Sequence, residues 1–212
     1  MHRKRKLFGK RLLLLFLLVA VCPIMAFASS SDGADAPPGV EIQVKGPDQA
    51  SQGQTIRFDL CEVANKSTDA LEDFYIHDRL PTDAVRIKSL VTGKFNESLY
   101  YKISYRTNLR GYRVLAAYLL TTNSYDLCLH PNVLGLSDGE YIKDIRFEFP
   151  KVYPGFKSTG SISLFCDVML TVPKDYNIVN RADLGGRFVN DWLSASASWD
   201  TKAGLSDIHT VK

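Results

Sequence analysis

The sequence predicts an all-β domain: an antiparallel sandwich of two sheets with about nine strands, preceded by an N-terminal signal-peptide helix. Two observations carry this prediction. Several short runs alternate apolar and polar residues, as residues 56–60 (IRFDL) do, and a period of two is typical of half-buried strands. Clusters of Gly, Pro, Asp and Asn separate these runs, and such clusters favour turns.

The predicted strands are spread over residues 40–200, which is long enough to bury a core. Residues 142–149 and 161–172 show the alternation most clearly, since each run places apolar side chains on one face. Residues 114–120 (VLAAYLL) do not alternate and are interpreted as a helix or a buried turn. Further strands are predicted at residues 74–76, 85–91, 99–105, 182–189 and 192–199.

Residues 1–28 contain the three parts of a signal peptide in order. Basic residues dominate the first eleven positions, an apolar run follows at residues 12–21, and Ala26 and Ala28 form the small-x-small pattern of a cleavage site. The apolar stretch is shorter than the roughly 20 residues that a membrane-spanning helix needs. We therefore expect a secreted or cell-surface protein. The alternative is an uncleaved N-terminal helix, which would be the protein's only contact with a membrane.

The net charge of the chain depends on this segment. The whole sequence has 26 basic and 23 acidic residues and a net charge of +3, but without residues 1–28 the balance is 20 to 23 and the net charge is −3. No cluster of Lys and Arg with interleaved aromatic residues remains, so no nucleic-acid partner is expected. Residues 29–39, rich in Ser, Pro and Gly, are predicted to be a flexible linker, and residues 201–212 a disordered C-terminal tail.

Five segments carry a family resemblance: residues 71–86 (LEDFYIHDRLPTDAVR), 91–96 (VTGKFN), 101–108 (YKISYRTN), 135–142 (GLSDGEYI) and 152–156 (VYPGF). Together they resemble an Ig-like domain of adhesin-type cell-surface proteins from Gram-positive, Clostridia-type bacteria, of the kind catalogued as domains of unknown function. The resemblance implies an Ig-like sandwich over residues 40–200 with a structural or adhesive role. It implies a host or cell-wall protein or glycan as partner, and neither catalytic residues nor a cofactor.

Two cross-links are considered. Exported Ig-like domains sometimes form an isopeptide bond between Lys and Asn beside a buried carboxylate, and Lys45 and Asn180 are the nearest candidates, although a surface Lys and a turn Asn explain them equally well. Cys61 and Cys128 are the preferred pair if a disulfide forms in an oxidising compartment. Free thiols are the simpler interpretation, and Cys166 on its apolar strand face is expected to be a small core residue.

Catalytic and metal-binding motifs are weak. Residues 135–139 (GLSDG) match the G-x-S-x-G pattern of serine hydrolases, but that motif requires a strand before the serine and a helix after it. Here a loop precedes Ser137 and a predicted strand follows, so a polar turn is expected. His77 and His130 lack a metal-ligand spacing, and no calcium-binding loop is recognisable. We therefore expect a protein that is not an enzyme and holds no cofactor or metal.

Aromatic residues are the remaining candidates for a binding site, because exposed rings stack on sugars or anchor protein partners. Rings that alternate along strands, however, more often pack into a core. The principal expectation is thus a structural or adhesion domain, and the alternative is a carbohydrate-binding module, which a contiguous exposed aromatic platform would favour. The candidate residues are Tyr75, Tyr100, Tyr101, Tyr105, Tyr112, Tyr118, Tyr125, Trp192 and Trp199.

Overall fold

The computed structural model describes residues 39–189 and 191–204, and nearly all of them lie in strands or the turns between strands. The all-β class is confirmed. The elements in chain order are β1 (Val40–Lys45), β2 (Gln49–Ser51), β3 (Thr55–Asn65), β4 (Leu71–Arg79), β5 (Val85–Val91), β6 (Lys94–Phe95), β7 (Tyr100–Thr107), β8 (Arg113–Leu120), β9 (Asp126–Cys128), α1 (Pro131–Leu134), β10 (Ile142–Val152), β11 (Ser158–Gly160), β12 (Ile162–Val168), β13 (Asn177–Phe188) and β14 (Asp191–Gly204).

Two large sheets form the sandwich, as predicted. The first has five strands in the order β1-β3-β12-β5-β9, and the second has seven in the order β2-β14-β13-β4-β10-β7-β8. A small third sheet pairs β11 with β6. The pairings are antiparallel except for the parallel pair of β2 and β14. Antiparallel sheets of this kind bury one face and leave the other to solvent, so the seven-stranded sheet has a broad outer face.

The core lies between the two sheets and is rich in aromatic rings. On β10 the alternation predicted from the sequence is observed, because Ile145, Phe147 and Phe149 are all buried. Phe149 packs edge-to-face on Phe74 with ring centroids 5.7 Å apart, and Phe95 stacks on Phe156 at 4.8 Å. The first contact joins the neighbouring strands β4 and β10 of the seven-stranded sheet.

The strand count is higher than the predicted nine, for two reasons. Four strands (β2, β6, β9 and β11) have only two or three residues and are too short to show a period. In addition, residues 114–120 form neither a helix nor a buried turn but most of the edge strand β8. The register of β8 against β7 shifts twice, and Tyr118 has a φ of 56°. These bulges break the alternation that would have identified the strand.

Element ends also differ from the predicted ones. β14 continues to Gly204, where its last residues pair with β2, so residues 201–204 belong to the sheet and not to a disordered tail. The run predicted as one strand at residues 161–172 ends at Val168, and a turn follows. The predicted signal peptide with Ala26 and Ala28, and residues 29–38 and 205–212, lie outside the described residues. Within the described part, no helix is long and apolar enough to span a membrane.

Candidate binding groove

A groove of about 710 Å³ lies on the outer face of the seven-stranded sheet. This volume falls within the usual range for small-ligand sites. The groove crosses the strands rather than following one of them, because its walls come from β14, β4, β10, β7 and β8. It is lined by Asp73, Phe74, Tyr100, Tyr101, Lys102, Ala117, Tyr118, Arg146, Glu148, Phe149, Pro150 and Trp192.

Three of the lining rings are open to solvent. Tyr118 is 87% exposed, Tyr100 60% and Trp192 53%. They come from β8, β7 and β14, and four strands lie between β14 and β8 in the sheet order. At the usual spacing of neighbouring strands, the rings extend over on the order of 20 Å. Three exposed rings therefore line one groove on this sheet face.

Backbone irregularities occur at both sides of the groove. Tyr118 has a φ of 56° and Asp73 a φ of 51°, a left-handed conformation that is costly for residues other than glycine. The register shifts beside Tyr118, between β7 and β8, and again between Gly185 and Arg187, opposite the β4 segment that holds Asp73. Such irregularities re-aim side chains and are common at functional sites. Here one of them turns the Tyr118 ring out of the sheet.

Two of the lining residues, Arg146 and Trp192, lie against the ring of Tyr75, which is not itself part of the lining. The guanidinium carbon of Arg146 lies 4.8 Å from the ring centroid of Tyr75, and the ring of Tyr75 lies 6.4 Å from that of Trp192. Gly185, opposite Tyr75 on β13, has no side chain to cover this ring. A Cβ at Gly185 would come within 2.7 Å of the backbone oxygen of Leu193 and 3.2 Å of the Tyr75 hydroxyl, so the close approach of these groups requires a glycine here.

Beside the groove, the same sheet face carries a charged network centred on Asp144. Arg106 donates from Nε to Asp144 Oδ2 at 2.7 Å, and His77 Nε2 lies 3.5 Å from Asp144 Oδ1. Tyr112 covers this network, with its hydroxyl 3.2 Å from His77 Nε2. Burial alone would raise the pKa of Asp144, but the surrounding donors His77, Arg106 and Tyr112 outweigh burial and lower that pKa to about 2.

The isopeptide candidates are not brought together. Asn180 is completely buried on β13, where its Nδ2 donates to Asp78 Oδ2 at 2.8 Å. A buried carboxyl is thus present, and burial raises the pKa of Asp78 to about 7. Lys45, however, is exposed at the end of β1. The structure therefore places the amine in solvent and the amide in the core.

The candidate disulfide is also contradicted. Cys61 lies on β3 and Cys128 on β9, and the strands β12 and β5 separate them in the five-stranded sheet. Three strand spacings amount to about 14 Å, whereas a disulfide needs Cα atoms about 4.4–6.8 Å apart. Among the described residues Cys61, Cys128 and Cys166 are free thiols. Cys166 is completely buried, which confirms its expected place in the core.

Ser137 lies in a polar turn. The helix α1 precedes it and the strand β10 follows, which is the reverse of the hydrolase arrangement. Its hydroxyl accepts a hydrogen bond from Arg110 Nη2 at 2.9 Å. His130 instead caps α1, accepting from the backbone N–H of Asn132. Across residues 39–189 and 191–204, no group of three or more His, Cys, Asp or Glu side chains is arranged to hold a metal ion.

Comparisons with known proteins give distant likenesses only. No protein-family model and no curated protein matches the sequence. Among solved structures, the chain is similar to a collagen-binding domain from a Staphylococcus aureus adhesin, with 11% identity over 76% of this chain and 96% of that one, and a TM-score of 0.35. It is also similar to a chain designated BspA_C_WT, with 15% identity over 77% of this chain and 50% of that one, and a TM-score of 0.32. Both TM-scores are below 0.5, so neither likeness bears on the function.

Proposed function

We propose that this chain is a non-catalytic extracellular binding domain, of the kind that mediates adhesion, and that it binds carbohydrate in the groove on its seven-stranded sheet. The observation that carries the proposal is the set of three solvent-exposed rings, Tyr100, Tyr118 and Trp192, that line one groove. Such rings bury the apolar C–H faces of sugars and leave the sugar hydroxyls to polar neighbours.

Polar groups suited to those hydroxyls lie between the rings. Glu148 accepts a hydrogen bond from Ser104 at 2.8 Å and lies 3.4 Å from the ammonium of Lys102. A carboxylate accepts and an ammonium donates, so this pair can satisfy both sides of a hydroxyl. The strained backbone at Tyr118 supports the proposal further, because the sheet holds this ring outward at an energetic cost.

The test is a glycan-array screen of the purified protein, followed by affinity measurements with the best ligand. We expect Trp192→Ala and Tyr118→Ala each to weaken binding about tenfold or more, equivalent to about 1.4 kcal/mol. Both side chains are exposed, so both variants should keep the wild-type circular dichroism spectrum and melting temperature. Tyr153→Ala is the matched control, since Tyr153 is an exposed tyrosine outside the groove. Equal affinity of the wild type and the three variants would place the ligand outside this groove. Absence of any glycan ligand would refute the proposal.

A further inference from the structure

Arg146 lines the groove, and its guanidinium lacks charged partners within the described part of the protein. It lies on β10 between His77 of β4 and Ser104 of β7 and is half-buried. Its Nε is buried and has no hydrogen-bond partner, and its guanidinium forms no ion pair among the described residues. The ring of Tyr75 supports one face of the guanidinium at 4.8 Å. The guanidinium is therefore held in place by Tyr75, while its Nε lacks a hydrogen-bond partner and its charge lacks an ion pair among the described residues.

The other charged groups that line the groove already have partners. Lys102 and Glu148 lie 3.4 Å apart, and Asp73 Oδ2 lies 3.3 Å from Nε of Arg187. On the same face of β10, Asp144 is bound by Arg106 at 2.7 Å. These contacts neutralise the acidic groups next to Arg146, so the guanidinium keeps its own charge uncompensated within the described part of the chain.

An unpaired, partly desolvated guanidinium is costly, and a carboxylate is the group that matches its planar fork best. Such a pair forms two parallel, charge-assisted hydrogen bonds. The groove therefore offers aromatic surface for sugar rings and one cationic fork for an anionic substituent.

We propose that the groove selects a carboxylate-bearing sugar, such as a uronic or sialic acid, and that Arg146 binds the carboxylate in a bidentate manner. This inference rests on the proposed carbohydrate-binding function and adds the class of sugar. The rings of Trp192 and Tyr118 stack on the neighbouring sugar units, and Tyr75 holds the guanidinium in position from below.

The experiment measures binding to paired acidic and neutral glycans: 3′-sialyllactose with lactose, and trigalacturonic acid with its methyl ester. For at least one pair we expect the acid to bind tenfold or more tightly than its neutral partner. Arg146→Gln should remove this preference while leaving affinity for the neutral member within about threefold. Arg146→Lys, which keeps the charge but loses the fork, should retain only part of the preference.

Lys151→Gln is the matched control, because it removes one positive charge from an exposed position of the same strand, β10, outside the groove lining. It should keep the preference for the acid. If neutral and acidic partners bind equally, the inference about acidic sugars fails while the carbohydrate function stands. If no glycan binds, both fail. If an oligoglutamate peptide binds with the same dependence on Arg146, the site recognises acidic peptides and the sugar class is refuted.

Discussion

At the scale of single residues, the buried carboxyl of Asp78 determines how stability depends on pH. Asp78 is completely buried in the sandwich and contacts Asn180. Burial raises its pKa from the ordinary 3.8 to about 7, although the hydrogen bond from Asn180 and the nearby His77 act in the opposite direction. Between these two pH values the folded state holds a proton that the unfolded chain has lost. Stability is therefore fully present below about pH 4 and declines as the pH rises through 7.

The variant Asp78→Asn places a side chain in the core that is neutral at every pH and still forms hydrogen bonds. The variant should be more stable than the wild type at pH 8, by up to about 4 kcal/mol, and the difference should vanish near pH 4. Urea unfolding at pH 4, 6 and 8 measures this. Parallel pH profiles for wild type and Asp78→Asn would contradict the account.

Asp144→Asn is the contrasting variant, because the pKa of Asp144 is lowered to about 2. Loss of this carboxylate should lower the free energy of unfolding at pH 7, and the effect should become smaller as the pH falls toward 2.

Among the elements, the edge strand β8 contributes a local irregularity to the proposed binding surface. β8 has one neighbour, β7, among the described strands, and its register shifts twice along that pairing. The bulge gives Tyr118 its left-handed backbone and its 87% exposure. An edge strand tolerates this disruption, because a central strand would lose ladder hydrogen bonds on both sides.

If Tyr118 is held in a strained conformation for binding, replacing it by glycine should separate stability from function. We expect Tyr118→Gly to raise the free energy of unfolding by about 1 kcal/mol while it weakens glycan binding as Tyr118→Ala does. Ala117→Gly, one residue earlier in β8 where no positive φ occurs, should instead lower stability by about 0.5–1 kcal/mol. Denaturant titrations of the three variants give the comparison, and a destabilised Tyr118→Gly would show that the conformation carries no strain.

At the scale of the whole molecule, the sequence predicts the sandwich well because the long strands alternate. β10 and β12 are recognisable from the period of two along their sequences. The short strands and β8 are not, since two or three residues show no period and bulges interrupt it. The candidate aromatic residues were also identified, but which of them face solvent was not. Tyr100 and Tyr101 are neighbours in the sequence, yet Tyr101 is buried and Tyr100 exposed.

Arg146 illustrates the part of the site that no local pattern reveals. Its alternation with Phe147 predicts only that it points away from the core. Its proposed role depends on Tyr75, which is brought beside it by the pairing of β4 with β10, and on the ion pairs that occupy the neighbouring carboxylates. Those contacts join residues distant in the chain. The conditional pairing of Cys61 with Cys128 does not form for the same reason, because strand order, not spacing along the sequence, determines which side chains meet.

The most direct test of carbohydrate binding in the groove compares the two tryptophans, one of which lines the groove while the other does not. Trp192 is exposed in the groove, whereas the indole Nε1 of Trp199 donates to the backbone oxygen of Pro47 at 3.1 Å, outside the groove lining. The ¹⁵N-labelled protein is titrated with an oligosaccharide found by the glycan-array screen and followed by NMR. The indole N–H signal of Trp192 should shift progressively to saturation, while the signal of Trp199 stays in place. A saturating shift of Trp199 alone, or binding that moves neither signal, would contradict carbohydrate recognition in this groove.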